Sequence, residues 1–167
     1  MFREIRRKKQ LLSQEETIKI MEQGTSGVLA LLGDNDYPYA VPLSYIYCDS
    51  KIYFHAAKAG HKIDAIRKSE KASFCVIDED NVVPEEYTTY FRSAIAFGKV
   101  KIVESEEEKR KAIEKLAVKY TPDDEEGCLK EIERGYNILC MIEFDIEHMT
   151  GKEAIELVRN KKTQLNK

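Results

Sequence analysis

The 167-residue chain has no tryptophan, and its aromatic content rests largely on nine tyrosines, a balance that is not diagnostic. It has only three histidines and four cysteines. No two of Cys48, Cys75, Cys128 and Cys140 stand close enough for a C-x-x-C motif, which excludes the short metal and redox signatures built on that spacing. Cys75 and Cys140 lie among apolar, strand-like residues and read as small buried hydrophobes. No apolar run approaches the ~20 residues that a membrane-crossing helix needs. Met1 to Lys9 is basic, but no apolar stretch follows, so no secretory signal is expected. Positive charge is not in excess either: a net charge of −3 gives no reason to expect nucleic acid as a partner. No G-x-G-x-x-G opens a helix, so the nicotinamide-binding fingerprint is missing. What these absences leave is a reduced, cytoplasmic protein of one domain, long enough to bury a core.

The most informative stretch is Ile52 to Ser69, IYFHAAKAGHKIDAIRKS. Ile52 to His55 carries the β-branched and aromatic residues of a strand. Ala56, Ala57, Ala59 and Gly60 form a small-residue loop. His61 and Lys62 then open a short helix, with Ile63 and Ile66 on one face. Cations are mildly unfavourable at a helix N-terminus. Two basic residues placed there, beside free N–H groups and after a glycine, suit a bound phosphate. An ordinary solvated His and Lys at a helix start is the competing reading.

Around this stretch the chain alternates turn signals with strand-like runs. Residues 1–12 form a basic arm, and residues 153–167 a polar tail. Ser13-Gln14-Glu15-Glu16 is a capping box, opening a helix that Gly24 ends. Gly27 to Leu32 reads as a buried strand. Tyr37 to Tyr47 reads as a second strand, and its Pro38 and Pro42 predict an edge, a bulge or a ligand-facing rim. It is expected to form a hairpin with Ile52–His55. Lys71 to Ile77 is a third strand, and acidic Asp78 to Glu86 a loop. Tyr87 to Glu104 is the longest strand signal, with Gly98 marking a bulge or bend. Ser105 to Glu108 is a second capping box, leading an amphipathic helix with Ile113, Leu116 and Ala117 inward. A short helix over Cys128–Tyr136 and a last strand over Tyr136–Ile146 follow. About six strands, several hairpin-linked, predict a mainly β fold: an antiparallel barrel with peripheral helices.

The runs Gly27-Val28-Leu29, Tyr37 to Tyr45, Lys51 to Ala56, Gly60-His61-Lys62, Val83-Pro84, Thr88-Thr89-Tyr90, Phe97-Gly98 and Ile146 to Gly151 occur in an order and spacing that resemble the FMN-binding split barrels related to pyridoxamine 5′-phosphate oxidase. Within them the chain looks most like the nitroimidazole-resistance (Nim-type) branch. The resemblance covers residues 13–152. It implies a six-stranded antiparallel split barrel, a homodimer, and FMN at the subunit interface. By the same resemblance, Val41, Pro42, Leu43, Ser44 and Tyr45 line the isoalloxazine ring, partly through backbone groups. His55 and Ala56 sit beneath the flavin, and Gly60, His61 and Lys62 hold its phosphate. Thr89, Tyr90 and Ser93 approach the flavin on a strand that the second subunit can supply. The oxidases proper use an Arg-Lys pair where this chain has His61-Lys62, and no C-terminal arginine-rich motif is present. Both departures argue against pyridoxamine phosphate as substrate.

The expected function is FMN-dependent reduction of a small acceptor, such as a nitroaromatic or nitroimidazole compound, with a nicotinamide donor visiting transiently. His55 is the candidate catalytic residue, since imidazole transfers protons near neutrality; a rim histidine that only touches the cofactor is the alternative. No metal site is expected: His55, His61 and a cysteine lack zinc-ligand spacing. A non-catalytic flavin-binding or redox-sensing module and a haem-binding split barrel are the other function classes, because fold alone does not fix function.

Overall fold

The structure is a computed structural model and describes residues 1–165. Seven strands are present among them: β1 (Ser26–Leu32), β2 (Pro38–Ser44), β3 (Ile46–Cys48), β4 (Lys51–Ala57), β5 (Lys71–Val83), β6 (Thr88–Ile102) and β7 (Leu139–Glu153). Five α-helices surround them: α1 (Gln14–Gln23), α2 (His61–Lys68), α3 (Glu106–Tyr120), α4 (Glu125–Gly135) and α5 (Ile155–Leu165). All strands join one antiparallel sheet in the order β2-β1-β5-β6-β7-β4-β3. β2 and β3 are consecutive in the chain yet lie at opposite edges of the sheet. Tyr45 alone connects them, so the sheet curls until its two edges are one residue apart along the chain. No ladder closes that gap. The result is a split barrel.

One apolar cluster fills the interior, drawing Leu29 from β1, Phe54 from β4, Phe74 from β5, Ala96 from β6 and Phe144 from β7. Alternation along each strand sends these side chains inward and their neighbours out. A second cluster, with Ile113, Leu116, Ile132 and Met141, packs α3 and α4 on the outside of the barrel. The opposite outer face is apolar and uncovered in part: Val28, Ile77, Ile95 and Phe97 are all exposed. Their strands pair directly, with Val28 opposite Cys75 and Cys75 opposite Ile95.

Several local expectations hold. Both halves of the Ser13–Glu16 capping box form, whereas α3 is capped by Ser105 alone. The prolines of β2 do lie on an edge strand, where a missing N–H costs no ladder bond. At Gly98 the register against β7 shifts, and a Cβ there would collide with the Asp145 carbonyl. The bulge therefore needs a residue without a side chain.

Other expectations are corrected. Tyr37–Tyr47 is not one strand but two, which brings the count from six to seven; only Ile46–Cys48 forms the hairpin with β4. Asp78–Val83 is not loop but the far half of β5, paired with β6 through Asn81↔Tyr90 and Val82↔Thr89. Acidic side chains there signal exposure to water, not loss of the ladder. β7 starts at Leu139 and continues to Glu153, beyond the expected end. Residues 155–165 of the polar tail form α5, fastened by Lys161 to Glu16 at 2.6 Å and to Glu153 at 2.9 Å. The final two residues of that tail lie outside the described range. In the basic arm, Phe2 stacks on His148 with ring centroids 4.8 Å apart, and Leu11 bridges to Lys152.

Candidate functional site

β4 delivers His55. Its alternation puts Ile52, Phe54 and Ala56 into the barrel and leaves His55 exposed, opposite Met141 of β7. Past Ala57 the chain turns at Gly60, whose φ is +116°, a conformation that side chains resist. A Cβ at Gly60 would meet nothing within 4 Å, so the space in front of it is open. Gly60 is the N-cap of α2 and offers no side-chain cap, whereas α1, α3 and α4 are capped by Ser13, Ser105 and Asp124. The Ile63 and Asp64 N–H groups donate back to the Gly60 carbonyl at 2.9 and 3.1 Å. Those of His61 and Lys62, in the first turn, have no partner within the helix. This geometry suits an anion.

The two basic side chains diverge. The His61 ring stacks on Tyr39, with centroids 4.1 Å apart, and its Nε2 lies 3.7 Å from Asp34. Lys62 is half-buried and has no carboxylate partner within 4 Å among the described residues. Burial pulls its amine below the usual lysine range. Although its edge is exposed, the His55 ring is partly enclosed by protein, and this desolvation, and then the charge of Lys62, hold it below the usual imidazole range. Both effects favour the neutral imidazole, which can donate from one ring nitrogen and accept at the other.

On the other side of His55 a cavity of about 570 Å³ opens between the barrel and the α3–α4 pair. Ser44 and His55 line it from the barrel, while Ile113, Leu116, Tyr120 and Ile132 form much of its wall. Among the described residues no lysine or arginine lines it; its charged groups are Asp124 and Glu131. A flat, largely apolar molecule fits such walls, and a phosphate does not.

The expected flavin-lining run is split between the two faces of β2. Pro42 and Ser44 point outward; Val41 and Leu43 pack against the core and present only backbone. Tyr45 is fully buried, with its hydroxyl donating to the Met21 carbonyl at 2.8 Å and its ring edge-on to Phe74. Ala56 also faces the core. Thr89, Tyr90 and Ser93 lie on β6, which β7 separates from β4, so one chain does not bring them to His55. Tyr90 donates instead to Glu86 at 2.8 Å. Reading the sequence missed the α3–α4 wall and Tyr120. The apolar stripe Ile113, Leu116, Ala117 was visible, but a stripe that roofs a cavity has the same period as one that fills a core. Among the described residues no three His, Cys, Asp or Glu side chains are placed to hold a metal, and no helix is long and apolar enough to cross a membrane.

An open antiparallel barrel whose two edge strands meet at Tyr45, with helices around it, defines the class: a split barrel. More narrowly, the chain belongs to the pyridoxamine 5′-phosphate oxidase family, whose model matches residues 13–153. No curated protein matches it. Among solved structures it is similar to a provisionally assigned 5-nitroimidazole antibiotic resistance protein from Bacteroides thetaiotaomicron VPI-5482 (21% identity, 86% of each chain, TM-score 0.70). It is also similar to a conserved hypothetical protein from Mycobacterium tuberculosis (18% identity, 90% of each chain, TM-score 0.78). A third is an FAD- and haem-binding protein from Mycobacterium smegmatis (18% identity, 87% of this chain and 73% of that one, TM-score 0.73). At these identities the likeness is one of fold.

Proposed function

We propose that the chain is an FMN-dependent oxidoreductase that reduces small, uncharged acceptors such as nitroaromatic or nitroimidazole compounds. The observation that carries this reading is the position of His55 between two unlike compartments. One is the open, cation-flanked start of α2; the other is the apolar cavity under α3 and α4. The residues fit a flavin nucleotide. The backbone after Gly60 and the amine of Lys62 take the phosphate, with His61 at the margin. Pro42 and Ser44 face the ring, and the backbone at Val41 and Leu43 lies behind them. Bound there, flavin would supply the electron transfer. His55, neutral and exposed at the cavity edge, donates or accepts the proton that accompanies reduction of the acceptor. The apolar wall excludes water and selects against phosphorylated substrates. Its open volume favours turnover over a sealed, non-catalytic flavin module.

The same reading includes a homodimer. The exposed face of Val28, Ile77, Ile95 and Phe97 is what a second copy would cover. Thr89, Tyr90 and Ser93, remote from His55 in their own chain, then reach the partner's flavin. The likeness to the 5-nitroimidazole resistance protein supports the acceptor class, and the likeness to FAD-binding proteins supports a flavin. The test is a titration of the purified protein with FMN, FAD, riboflavin and haem, followed by turnover of a nicotinamide donor with a nitroimidazole. FMN bound tightest and donor oxidation dependent on the nitro compound are expected. Flavin binding without turnover would reduce the protein to a binding module, and a haem band with no flavin would replace the reading altogether.

A further inference from the structure

We propose that Tyr120 is a positioning residue for this site: its hydroxyl fixes the backbone at the split of the barrel and so sets where Ser44 stands relative to His55. The proposal rests on the flavin reading above. Ser44 ends β2 at one edge of the sheet, and β4, which carries His55, is second from the other edge. No ladder of hydrogen bonds crosses between those edges. The two edges are tied only through the chain at Tyr45, so the backbone conformation there decides how they stand to each other.

Tyr45, the one residue between β2 and β3, belongs to neither ladder. Its N–H donates to the Tyr120 hydroxyl at 2.9 Å. That hydroxyl in turn donates to the Thr25 carbonyl, with the Tyr45 carbonyl 3.2 Å away. A hydroxyl has a single hydrogen and two lone pairs, so it can accept from Tyr45 and donate to Thr25 at once. The pin joins the C-terminal end of α3 to the start of β1 and to the strand crossing. Neighbouring contacts reinforce it: Lys119 donates to the Gly24 carbonyl at 2.5 Å and lies 4.2 Å above the Tyr45 ring. Tyr120 also lines the same cavity as Ser44 and His55. One phenol thus joins the cavity wall to the strand that faces the ring.

The experiment compares wild type, Y120F and Y136F. Tyr136 is the control, because its hydroxyl makes a similar bond, to the Glu106 carbonyl at 3.1 Å, away from the split. Amide hydrogen exchange at Tyr45, measured without ligand, reads the pin itself. Affinity for FMN and riboflavin, and the midpoint potential of the bound flavin, read positioning. Protection of the Tyr45 amide in wild type and Y136F, and its loss in Y120F, are expected. Y120F should also bind FMN and riboflavin about tenfold more weakly and shift the potential, while Y136F leaves both unchanged. A Tyr45 amide that exchanges freely in wild type overturns the proposal. So does an exchange change in Y120F with affinity and potential unmoved. A wild-type chain that binds no flavin overturns the reading beneath it and the positioning role together, and protection at Tyr45 would then report a structural pin only.

Discussion

The imidazole of His61 lies against the ring of Tyr39, with centroids 4.1 Å apart and planes 20° from parallel, and points its Nε2 toward Asp34. Its neighbour Lys62 lies beside His55 and has no carboxylate partner within 4 Å among the described residues. The two residues that read as one basic pair in sequence are therefore unequal partners for an anion. Lys62→Ala is expected to weaken FMN by roughly 1.5–3 kcal/mol, about ten- to a hundredfold, as loss of a charge-assisted bond does. His61→Ala should cost clearly less. Riboflavin, which lacks the phosphate, should hardly respond to either change. Equal losses in the two variants would restore the symmetrical pair.

His55 should leave a mark on stability. Burial and Lys62 depress its folded pKa below the ordinary value of 6.5. The unfolded chain then binds a proton at a pH where the folded chain does not. Above the unfolded value this residue adds no pH dependence. As pH falls through and below it, the unfolded state is favoured and stability declines. Thermal melts from pH 8 to pH 5 should show that decline, and His55→Asn should flatten it. An identical slope in the variant would place the titration elsewhere.

A buried carboxylate holds the outer side of β7. The Glu143 side chain is 3% exposed and lies 3.0 Å from Lys51 and 3.2 Å from Lys101, with the Tyr53 hydroxyl donating to it. Burial works against its ionisation, but the two lysines outweigh it and keep the carboxyl below its usual range. Replacing both lysines by methionine strands that charge. The cost should be about 3 kcal/mol, at the low end for such a loss because both lysines keep contact with water. Adding Glu143→Leu should recover most of it in denaturant melts. A triple variant as unstable as the double one would mean that packing, not charge, is at fault.

How much of this was visible beforehand depends on how local each feature is. The Ser13 cap, the Gly98 bulge and the proline edge follow from neighbouring residues, and each was legible. The separation of Tyr37–Tyr47 into strands on opposite edges was not, because partner choice is made across the whole sheet. Nor was the full length of the β5–β6 hairpin, whose acidic residues have the composition of a loop. Tyr120 sits 75 positions from the backbone it pins, and nothing in its own surroundings announces that contact. The strand, glycine turn and helix start from His55 to Lys62 are local and could be read from the sequence; the wall that α3 and α4 bring to the candidate site comes from distant elements and could not.

The apolar outer face offers a direct check on assembly. Ile95→Lys, with Ile77→Lys as a second variant, places a charge where the partner copy would sit. Both should sediment as monomers while wild type sediments as a dimer, and both should lose flavin together with the dimer. Wild-type monomers that retain flavin would show that one chain completes the site.

The measurement that tests the central claim most directly is an FMN titration of the wild-type chain, followed by its visible spectrum. The account predicts saturable binding near one FMN per chain, a perturbed flavin spectrum, and weaker binding of riboflavin in keeping with a phosphate held at Gly60 and Lys62. An unperturbed spectrum and no saturation would contradict it, and would leave a split barrel whose cradle at α2 serves some other anion.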